Sequence, residues 1–437
     1  MRLRQKDPLS ISSHPCSSYA IPKSVRFDCT LMFPECIECR GTKGLCGIDP
    51  CPLLSEVRSR LPISETSKVV EVSGPSPPSM FVGRYGYPDV RAGLTASLSP
   101  DEGFSETTEG DPAEMFGRPL EEVAARHAGL ITGGRRMGVS SAVSPDLVLE
   151  ATQLVAKSSS SVEIELDFAR PVAVGGNPTF DSMSTPLGPA GEVVRAEVIG
   201  NAKISRKIDS ITDEVDVLAS EAMGELVDSG TGEAQISRML SSGLLGREES
   251  RKLVPTRWGI TATDDTLGKR LWDRVRILPS LDKVLVFEAE YLDNRFHIVL
   301  TPGSWAFHMM EAWTGGSLWS ESGRVLGDWE EGVPRTKYAS RVTGAYYSAR
   351  LGVLEYLESI GRSGACLIWR DIGPGYWAPV GVWLIRETVR EALRGKGRRF
   401  DSLDAAIGFM SDRVSSPNEL RGSWFANRSI QIRLDAF

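Results

Sequence analysis

Residues 284–300, VLVFEAEYLDNRFHIVL, contain two stretches of strand-forming residues joined by a turn-like link. The stretches Val284 to Tyr291 and Phe296 to Leu300 are rich in valine, leucine, isoleucine and aromatic residues, and the short link Leu292 to Asn294 lies between them. Two such stretches around a short polar link predict a β-hairpin. This half of the chain is therefore expected to contain antiparallel strands.

Upstream of this hairpin, residues 144–168 predict a helix followed by a strand. Ser144 and Pro145 are typical of a helix N-cap and a first helical residue, and apolar residues recur at helical spacing after them. These apolar positions are Leu147, Val148, Ala151, Leu154 and Val155. In residues 162–168 apolar and acidic side chains alternate, which predicts a half-buried strand.

Further helices and strands are predicted on both sides of the hairpin. Helical spacing recurs over residues 215–226 and 236–240, and downstream a helix is expected near 345–360, an apolar strand at 365–369 and a helix that ends at Gly395. The fold class is predicted to be α+β, with mixed helices and antiparallel strands and a small four-cysteine zinc knuckle near the N-terminus. The alternative is an α/β fold.

Composition limits the kind of protein. The chain has 437 residues, of which 41% are hydrophobic and 24% charged, the balance of a globular protein with more than one core. It lacks a run of about 18 apolar residues and an apolar signal segment, so no membrane association and a cytoplasmic location are expected. The net charge of −7 indicates that any nucleic-acid contact is local.

Four of the seven cysteines lie close together near the N-terminus. Their spacing, Cys-x2-Cys followed by Cys-x4-Cys, provides four thiolates for tetrahedral zinc, and the ligands are Cys36, Cys39, Cys46 and Cys51. Gly47 follows the third cysteine and gives the backbone the freedom that a knuckle requires. Because sulfur fills every coordination position, the zinc is expected to be structural. A [4Fe-4S] cluster is the alternative cofactor.

The C-terminal residues have the spacing of a peptide that binds a sliding clamp. Gln431, Leu434 and Phe437 occupy positions i, i+3 and i+6, which share one side of a short 3₁₀ turn. At a chain terminus such a turn can insert its side chains into a partner without disturbing the fold. Alternation of apolar and polar residues over 430–436 equally describes a terminal edge strand, and this alternative remains open.

Basic and aromatic residues in two segments are candidates for nucleic-acid binding. Arg84 and Tyr85 lie among glycines at residues 83–86, and Arg251, Lys252 and Arg257 lie near Trp258. Arginine and lysine can contact phosphates while aromatic rings stack on bases. A tight turn in the first segment and a salt-bridged surface in the second are the structural alternatives.

Acidic residues near the hairpin raise the possibility of an enzyme. Asp264 and Asp265, with Glu288, Glu290 and His297, are the types of side chain that hold a divalent metal for phosphodiester hydrolysis. The sequence contains no P-loop signature. An adaptor without turnover is favoured, and a metal-dependent nuclease is the alternative.

Four segments together resemble the archaeal Nre family. They are CIECRGTKGLCGIDPCP at 36–52, FVGRYGYP at 81–88, GLLGREESRKLVPTRWGITATDDTLG at 243–268 and the terminal QIRLDAF. Members of that family are implicated in DNA damage repair and bind the DNA polymerase sliding clamp (PCNA) through a C-terminal peptide. The resemblance implies a DNA repair accessory protein with this clamp and DNA as its partners, associated with the nucleoid. The chain departs from the usual clamp peptide by placing Ala436 before a single terminal aromatic, Phe437.

The resemblance also implies a domain organisation. The expected segments are an extension at 1–30, the zinc module at 31–60, an Nre N-terminal-type domain at 61–302, an Nre C-terminal-type domain at 303–425 and a tail with the clamp-binding peptide at 426–437.

Overall fold

The computed structural model describes residues 67–98, 111–174, 187–315, 319–320 and 323–428, together with positions 45, 47, 48, 51 and 55. All of them belong to one compact unit, Phe33–Phe437. The other unit, Met1–Met32, lies outside the described residues. The helices and strands below therefore all belong to a single folded body.

The described strands form two six-stranded sheets. Sheet 1 has the order β1–β5–β6–β4–β3–β2 and sheet 2 the order β10–β9–β11–β8–β7–β12. The strands are β1 (Ser67–Ser76), β2 (Met80–Val82), β3 (Asp89–Ser97), β4 (Leu130–Gly138), β5 (Val162–Val174), β6 (Ala190–Val198), β7 (Val284–Tyr291), β8 (Asn294–Thr301), β9 (Ala306–Trp313), β10 (Val325–Glu331), β11 (Ala365–Ile372) and β12 (Arg398–Phe400). Most neighbouring pairs are antiparallel, and β4–β6 and β9–β11 are parallel.

Helices lie between and after the strands. They are α1 (Leu120–Ala128), α2 (Leu147–Lys157), α3 (Arg206–Asp213), α4 (Ala219–Asp228), α5 (Glu233–Ser241), α6 (Thr256–Val275), α7 (Gly344–Ser359), α8 (Trp383–Arg394), α9 (Leu403–Ser411) and α10 (Pro417–Arg421). Separate helices with two mostly antiparallel sheets confirm the predicted α+β class over the α/β alternative. The zinc knuckle included in that prediction lies outside the described residues, apart from Cys51 and Gly47.

The core of sheet 1 follows from the alternation seen in the sequence. Ile164 and Leu166 in β5 are fully buried and pack against α2, whose Val155 belongs to the same core. The predicted strand is thus confirmed, and it extends to Val174. The predicted start of α2 was wrong: Asp146 is the N-cap, because its carboxylate accepts a hydrogen bond from the Leu149 amide at 3.0 Å.

Sheet 2 contains the predicted hairpin as β7 and β8. Tyr291 pairs with Asn294, so the link is the two residues Leu292 and Asp293, both with positive φ. Asn294 was expected to belong to this link, but in the structure Asn294 is the first residue of β8. β11 is buried along its whole length, because α9 and α10 cover one face of the sheet and α7 and α8 pack near the other.

Pro302 and Gly303, where the sequence analysis places a domain boundary, lie in the short connection between β8 and β9. Both of these strands belong to sheet 2. The sheet therefore continues across these two residues.

Candidate functional site

The turn between β2 and β3, residues 83–88, lies at the edge of sheet 1. The Asp89 amide donates to the Gly86 carbonyl at 2.9 Å, and Gly86 has a φ of +84°. A Cβ atom at this position would lie 2.3 Å from Nη2 of Arg136. Glycine is therefore required here both by backbone conformation and by space.

A groove of about 780 Å³ lies beside this turn on the outer face of sheet 1. The register of three neighbouring strands forms this groove. Arg91 of β3 is opposite Arg136 of β4. Gly134 of β4 is opposite Gly93 of β3 on one side and opposite Glu192 of β6 on the other. We call it the arginine groove. Its lining residues are Phe81, Gly83, Tyr85, Arg91, Gly134, Arg135, Arg136, Glu192, Val193 and Val194.

The arginine groove places like charges directly opposite each other. Arg91 and Arg136 are cross-strand partners, and two cations in that position repel. Arg136 is steadied by Asp89, whose carboxylate lies 3.3 Å from its Nε. Arg91 is half-buried, and within the described part of the chain its Nη2 has no hydrogen-bond partner. Burial lowers the pKa of this guanidinium, and the nearby charge of Glu192 opposes the shift. An anion placed here would relieve the repulsion.

Arg84 and Tyr85, both predicted from the sequence, lie at the rim of the groove. The Tyr85 ring is 75% exposed, so it is available to stack on a ligand. Arg84 donates to the Tyr85 hydroxyl at 3.0 Å, and its guanidinium carbon lies 4.8 Å from the ring centre. These contacts hold the aromatic ring while leaving most of it in solvent.

A second groove, of about 450 Å³, lies on the other side of the turn. We call it the aromatic groove. It is lined by Tyr87, Leu218, Ala219, Leu240, Leu245, Gly246, Arg247, Ser250, Lys252, Leu253, Val254, Pro255 and Trp258. Two segments far apart in the sequence meet here, because the Val82 amide donates to Oγ1 of Thr256 at 2.9 Å and the rings of Tyr87 and Trp258 are 5.4 Å apart.

The three basic residues predicted in the second segment have different environments. Lys252 is exposed and lines the aromatic groove, and Arg257 is half-buried on the first turn of α6. Arg251 donates at 2.8 Å to the carbonyl oxygens of Gly246 and Thr212, and it also bonds to the Glu214 carbonyl. In this structure the donors of Arg251 thus hold the local backbone instead of facing a ligand.

The acidic candidates for a nuclease do not converge. Asp264 is 1% exposed and accepts from Nη1 of Arg386 at 2.8 Å and from the Ser348 hydroxyl. Burial raises the pKa of the Asp264 carboxyl, and Arg386 opposes that shift. Asp265, the adjacent candidate, forms ion pairs with Lys269 and Arg350. Both candidate carboxylates, Asp264 and Asp265, are therefore already paired with cations.

The hairpin candidates are engaged elsewhere. A Glu288 oxygen lies 2.9 Å from Nδ1 of His297, and Glu290 pairs with Arg295 at 2.9 Å. Among the residues that the structure describes, no group of three His, Cys, Asp or Glu side chains is placed to hold a metal ion. The described part of the chain gives the nuclease interpretation no support.

Asp264 and Asp265 belong to a larger set of buried charges, which we call the buried ion network. Its arginines come from α7 and α8, and its carboxylates come from α5, α6, α7, α8 and β10. The members are Glu233, Asp264, Asp265, Glu330, Arg350, Glu355, Arg386, Glu387 and Arg390. Arg386 and Arg390 are one helical turn apart in the sequence, and the structure places both of these side chains in the network.

The zinc ligands and the clamp peptide fall mostly outside the described residues. Of the four cysteines only Cys51 is described, and it is half-buried with a free thiol. Gly47 has a φ of +67°, the conformation expected of a glycine in a knuckle. Gln431, Leu434 and Phe437 lie beyond the last described residue, Arg428.

Sequence reasoning did not identify Arg91, Arg135 and Arg136. The available signal was the run Gly133-Gly134-Arg135-Arg136, in which two glycines leave bare backbone beside two cations. Only the strand register shows that Arg91 is opposite Arg136, while Arg135 is opposite Ala92.

These features define a class: a two-sheet α+β protein with a basic groove on the outer face of one sheet, bordered by exposed aromatic rings. The family model described as Archaeal Nre, N-terminal, matches residues 45–320, and the model described as Archaeal Nre, C-terminal, matches residues 330–437. The chain belongs to the archaeal Nre family.

Curated relatives agree with this assignment. The chain is similar to DNA repair protein NreA of Archaeoglobus fulgidus, with 33% identity over 92% of this chain and 98% of that protein. It is also similar to DNA repair protein NreB of the same organism, with 35% identity over 86% of this chain and 92% of that protein. NreA of Haloferax volcanii is 34% identical over 76% of this chain and 80% of that protein. No solved structure matches the chain.

None of the helices that the structure describes has both the length and the apolar character needed to cross a membrane.

Proposed function

We propose that this chain is a DNA repair accessory protein, associated with the nucleoid, that contacts DNA through the arginine groove. In this proposal Gln431, Leu434 and Phe437 recruit it to the DNA polymerase sliding clamp. The relatives are named DNA repair proteins, which supports the repair role. The single observation that carries the DNA contact is the direct opposition of Arg91 and Arg136 across β3 and β4.

The chemistry of the groove suits a phosphate backbone. Guanidinium groups bind phosphate oxygens in a bidentate manner, and a partly buried arginine gains more from this than an exposed one. A local cluster of positive charge is compatible with a chain whose net charge is −7.

DNA binding can be tested with the double variant Arg91→Ala/Arg136→Ala, which removes the two arginines that face each other across β3 and β4. We expect its affinity for duplex DNA to fall about tenfold or more, and the slope of log affinity against log salt to fall by up to about 2, because two phosphate contacts are lost. Fluorescence anisotropy over a salt series measures both quantities. Arg394→Ala is the matched control, since Arg394 is exposed and pairs with Glu391 on α8. Equal binding by the double variant and the wild type would exclude the groove.

The spacing of Gln431, Leu434 and Phe437 supports the proposed recruitment to the clamp. Phe425 and Ala426 are buried in the core of sheet 2, and residues 429–437 follow the last described residue.

The clamp contact is tested by pull-down and by titration with the purified clamp. Phe437→Ala is expected to reduce affinity at least tenfold, since the aromatic anchor fills a hydrophobic pocket of the partner. Asp435→Ala, at an intervening position of the same peptide, should retain binding. If both variants bind as tightly as the wild type, the peptide does not serve this purpose.

We also propose that Cys36, Cys39, Cys46 and Cys51 bind one structural zinc ion. Four thiolates complete a tetrahedral site without an open position, so the metal would stabilise the fold and would not activate water. Metal analysis of the purified protein should give about one zinc per chain, and Cys39→Ser should lower this value. Iron with sulfide in place of zinc would favour the [4Fe-4S] alternative.

A further inference from the structure

Two aromatic rings in the aromatic groove remain half in solvent. The Tyr87 side chain is 47% exposed and Trp258 is 45% exposed, although the rings contact each other at a tilt of 53°. Leu218, on the same groove, is 43% exposed. Rings this large, if they only packed the turn onto α6, would be expected to bury more of their surface. Their outer faces are open to a flat apolar partner.

The position of these rings is fixed by the fold. The hydrogen bond from the Val82 amide to Thr256 ties β2 to the first turn of α6, two residues before Trp258. Tyr87 is carried by the turn whose conformation requires Gly86. The two rings are therefore presented by rigid elements, which reduces the entropy lost when a ligand stacks on them.

Positive charge borders the aromatic surface. Lys252 and Arg247 line the groove and are exposed, and Arg247 donates to the Asp216 carbonyl at 3.4 Å. Glu248 and Glu249 are exposed nearby in the sequence. Exposed rings with cations beside them suit a ligand that has flat apolar faces and anionic links, and a nucleic-acid strand with unpaired bases has both.

We propose that the aromatic groove binds unpaired bases of single-stranded DNA, with Trp258 and Tyr87 stacking on the bases and Lys252 and Arg247 contacting phosphates. This inference rests on the proposed function, because Tyr85 of the arginine groove and Tyr87 of the aromatic groove belong to the same turn, so one strand can follow both. In duplex DNA the faces of the bases are stacked on each other and cannot meet Trp258. The preferred substrate is therefore DNA with a single-stranded stretch.

The test compares a labelled oligo-dT strand with a duplex of the same length by fluorescence anisotropy at one salt concentration. The wild type should bind the single strand more tightly than the duplex. Trp258→Ala should weaken single-strand binding about tenfold or more, since one stacked base is lost, and should leave duplex binding within about twofold. Trp258→Phe should retain most of the single-strand affinity because it keeps a ring.

Lys252→Ala provides a second variant that does not alter the aromatic rings. It should lower the salt slope for the single strand by about 0.7, the value for one phosphate contact. Circular dichroism and thermal unfolding show whether each variant folds.

The outcomes separate this inference from the proposed function. If the wild type binds neither form of DNA, both fail. If Arg91→Ala/Arg136→Ala weakens duplex binding but Trp258→Ala changes neither form or both equally, and Lys252→Ala leaves the slope unchanged, only the single-strand inference fails.

Discussion

The arginine groove and the buried ion network use the same guanidinium group in opposite ways. In the groove Arg91 is opposite another arginine and keeps an Nη2 donor without a hydrogen-bond partner in the described structure. In the network Arg350 is fully buried and is paired with Glu330 at 3.0 Å and with Asp265. Cations matched by carboxylates stabilise the fold, whereas cations left unmatched are available to an anionic ligand.

The network also connects helices that lie far apart in the sequence. Glu233 and Asp264 come from α5 and α6, which precede sheet 2 in the chain, and Arg386 comes from α8, which follows most of it. Removing one of these charges should therefore affect stability first, and removing a charge from the groove should affect binding first.

The largest effect is expected for Arg350→Met. This change removes the cation that pairs with Glu330 and Asp265 and leaves two carboxylates without it. Breaking a buried pair from one side costs about 3–5 kcal/mol of unfolding free energy. Urea unfolding followed by circular dichroism measures it. A loss below about 1 kcal/mol, the range of surface pairs, would show that the network does not stabilise the fold.

Acid should weaken the network before it affects the groove. Burial disfavours the ionised form of Glu233, but Arg386 and Arg390 outweigh burial and lower the pKa of its carboxyl from 4.5 to about 2. A carboxyl with a lowered folded-state pKa contributes stability above its unfolded pKa, and that stability is lost as the pH falls from about 4.5 to about 2. The contribution is on the order of 3 kcal/mol, from about 1.4 kcal/mol per unit.

This pH dependence can be assigned to Glu233 with Glu233→Gln. The variant cannot titrate at this position, so the slope of unfolding free energy against pH between 2 and 4.5 should be smaller than in the wild type. Glu391→Gln is the control, because Glu391 is exposed and pairs with Arg394 on the surface. Identical slopes in Glu233→Gln and the wild type would contradict the assigned role.

The smallest effect on stability is expected in the groove itself. In Arg91→Ala/Arg136→Ala the ion pair lost among the described residues is that of Arg136 with Asp89, which is exposed and 3.3 Å long, and the repulsion between the two guanidinium groups is removed with it. The unfolding free energy should change by about 0.5 kcal/mol or less. Thermal unfolding in the presence and absence of DNA provides the measurement. A large loss without DNA would mean that these arginines are structural, like those of the network.

Local patterns were enough to predict many elements. Alternation over residues 162–168 predicted β5, the residues around Leu292 predicted the hairpin, and the apolar run from Ala365 predicted β11. Each of these signals depends on neighbours within a few positions, so the chain itself contains the information. The start of α2 was misplaced because Ser144 and Asp146 are both good N-caps, and only the hydrogen bond to Leu149 distinguishes them.

Pairing between distant residues could not be predicted in this way. Asp264 has the same sequence signature whether it holds a metal ion or pairs with Arg386, a residue 122 positions away. Likewise Arg386 and Arg390 at helical spacing describe an exposed basic stripe as well as a buried network. The choice depends on which elements pack against α6 and α8, and that is a property of the tertiary structure.

The sequence by itself determined the fold class, the principal strands and helices, and the likeness to the archaeal Nre family, because these depend on local periodicity and contiguous motifs. It also indicated Tyr85 and Lys252, which the structure places on two neighbouring grooves. Only the tertiary structure decided which charges are neutralised and which face solvent. The register of β3 against β4 places Arg91 opposite Arg136, and the packing of α6 against α7 buries Asp264 beside its cation, Arg386 of α8.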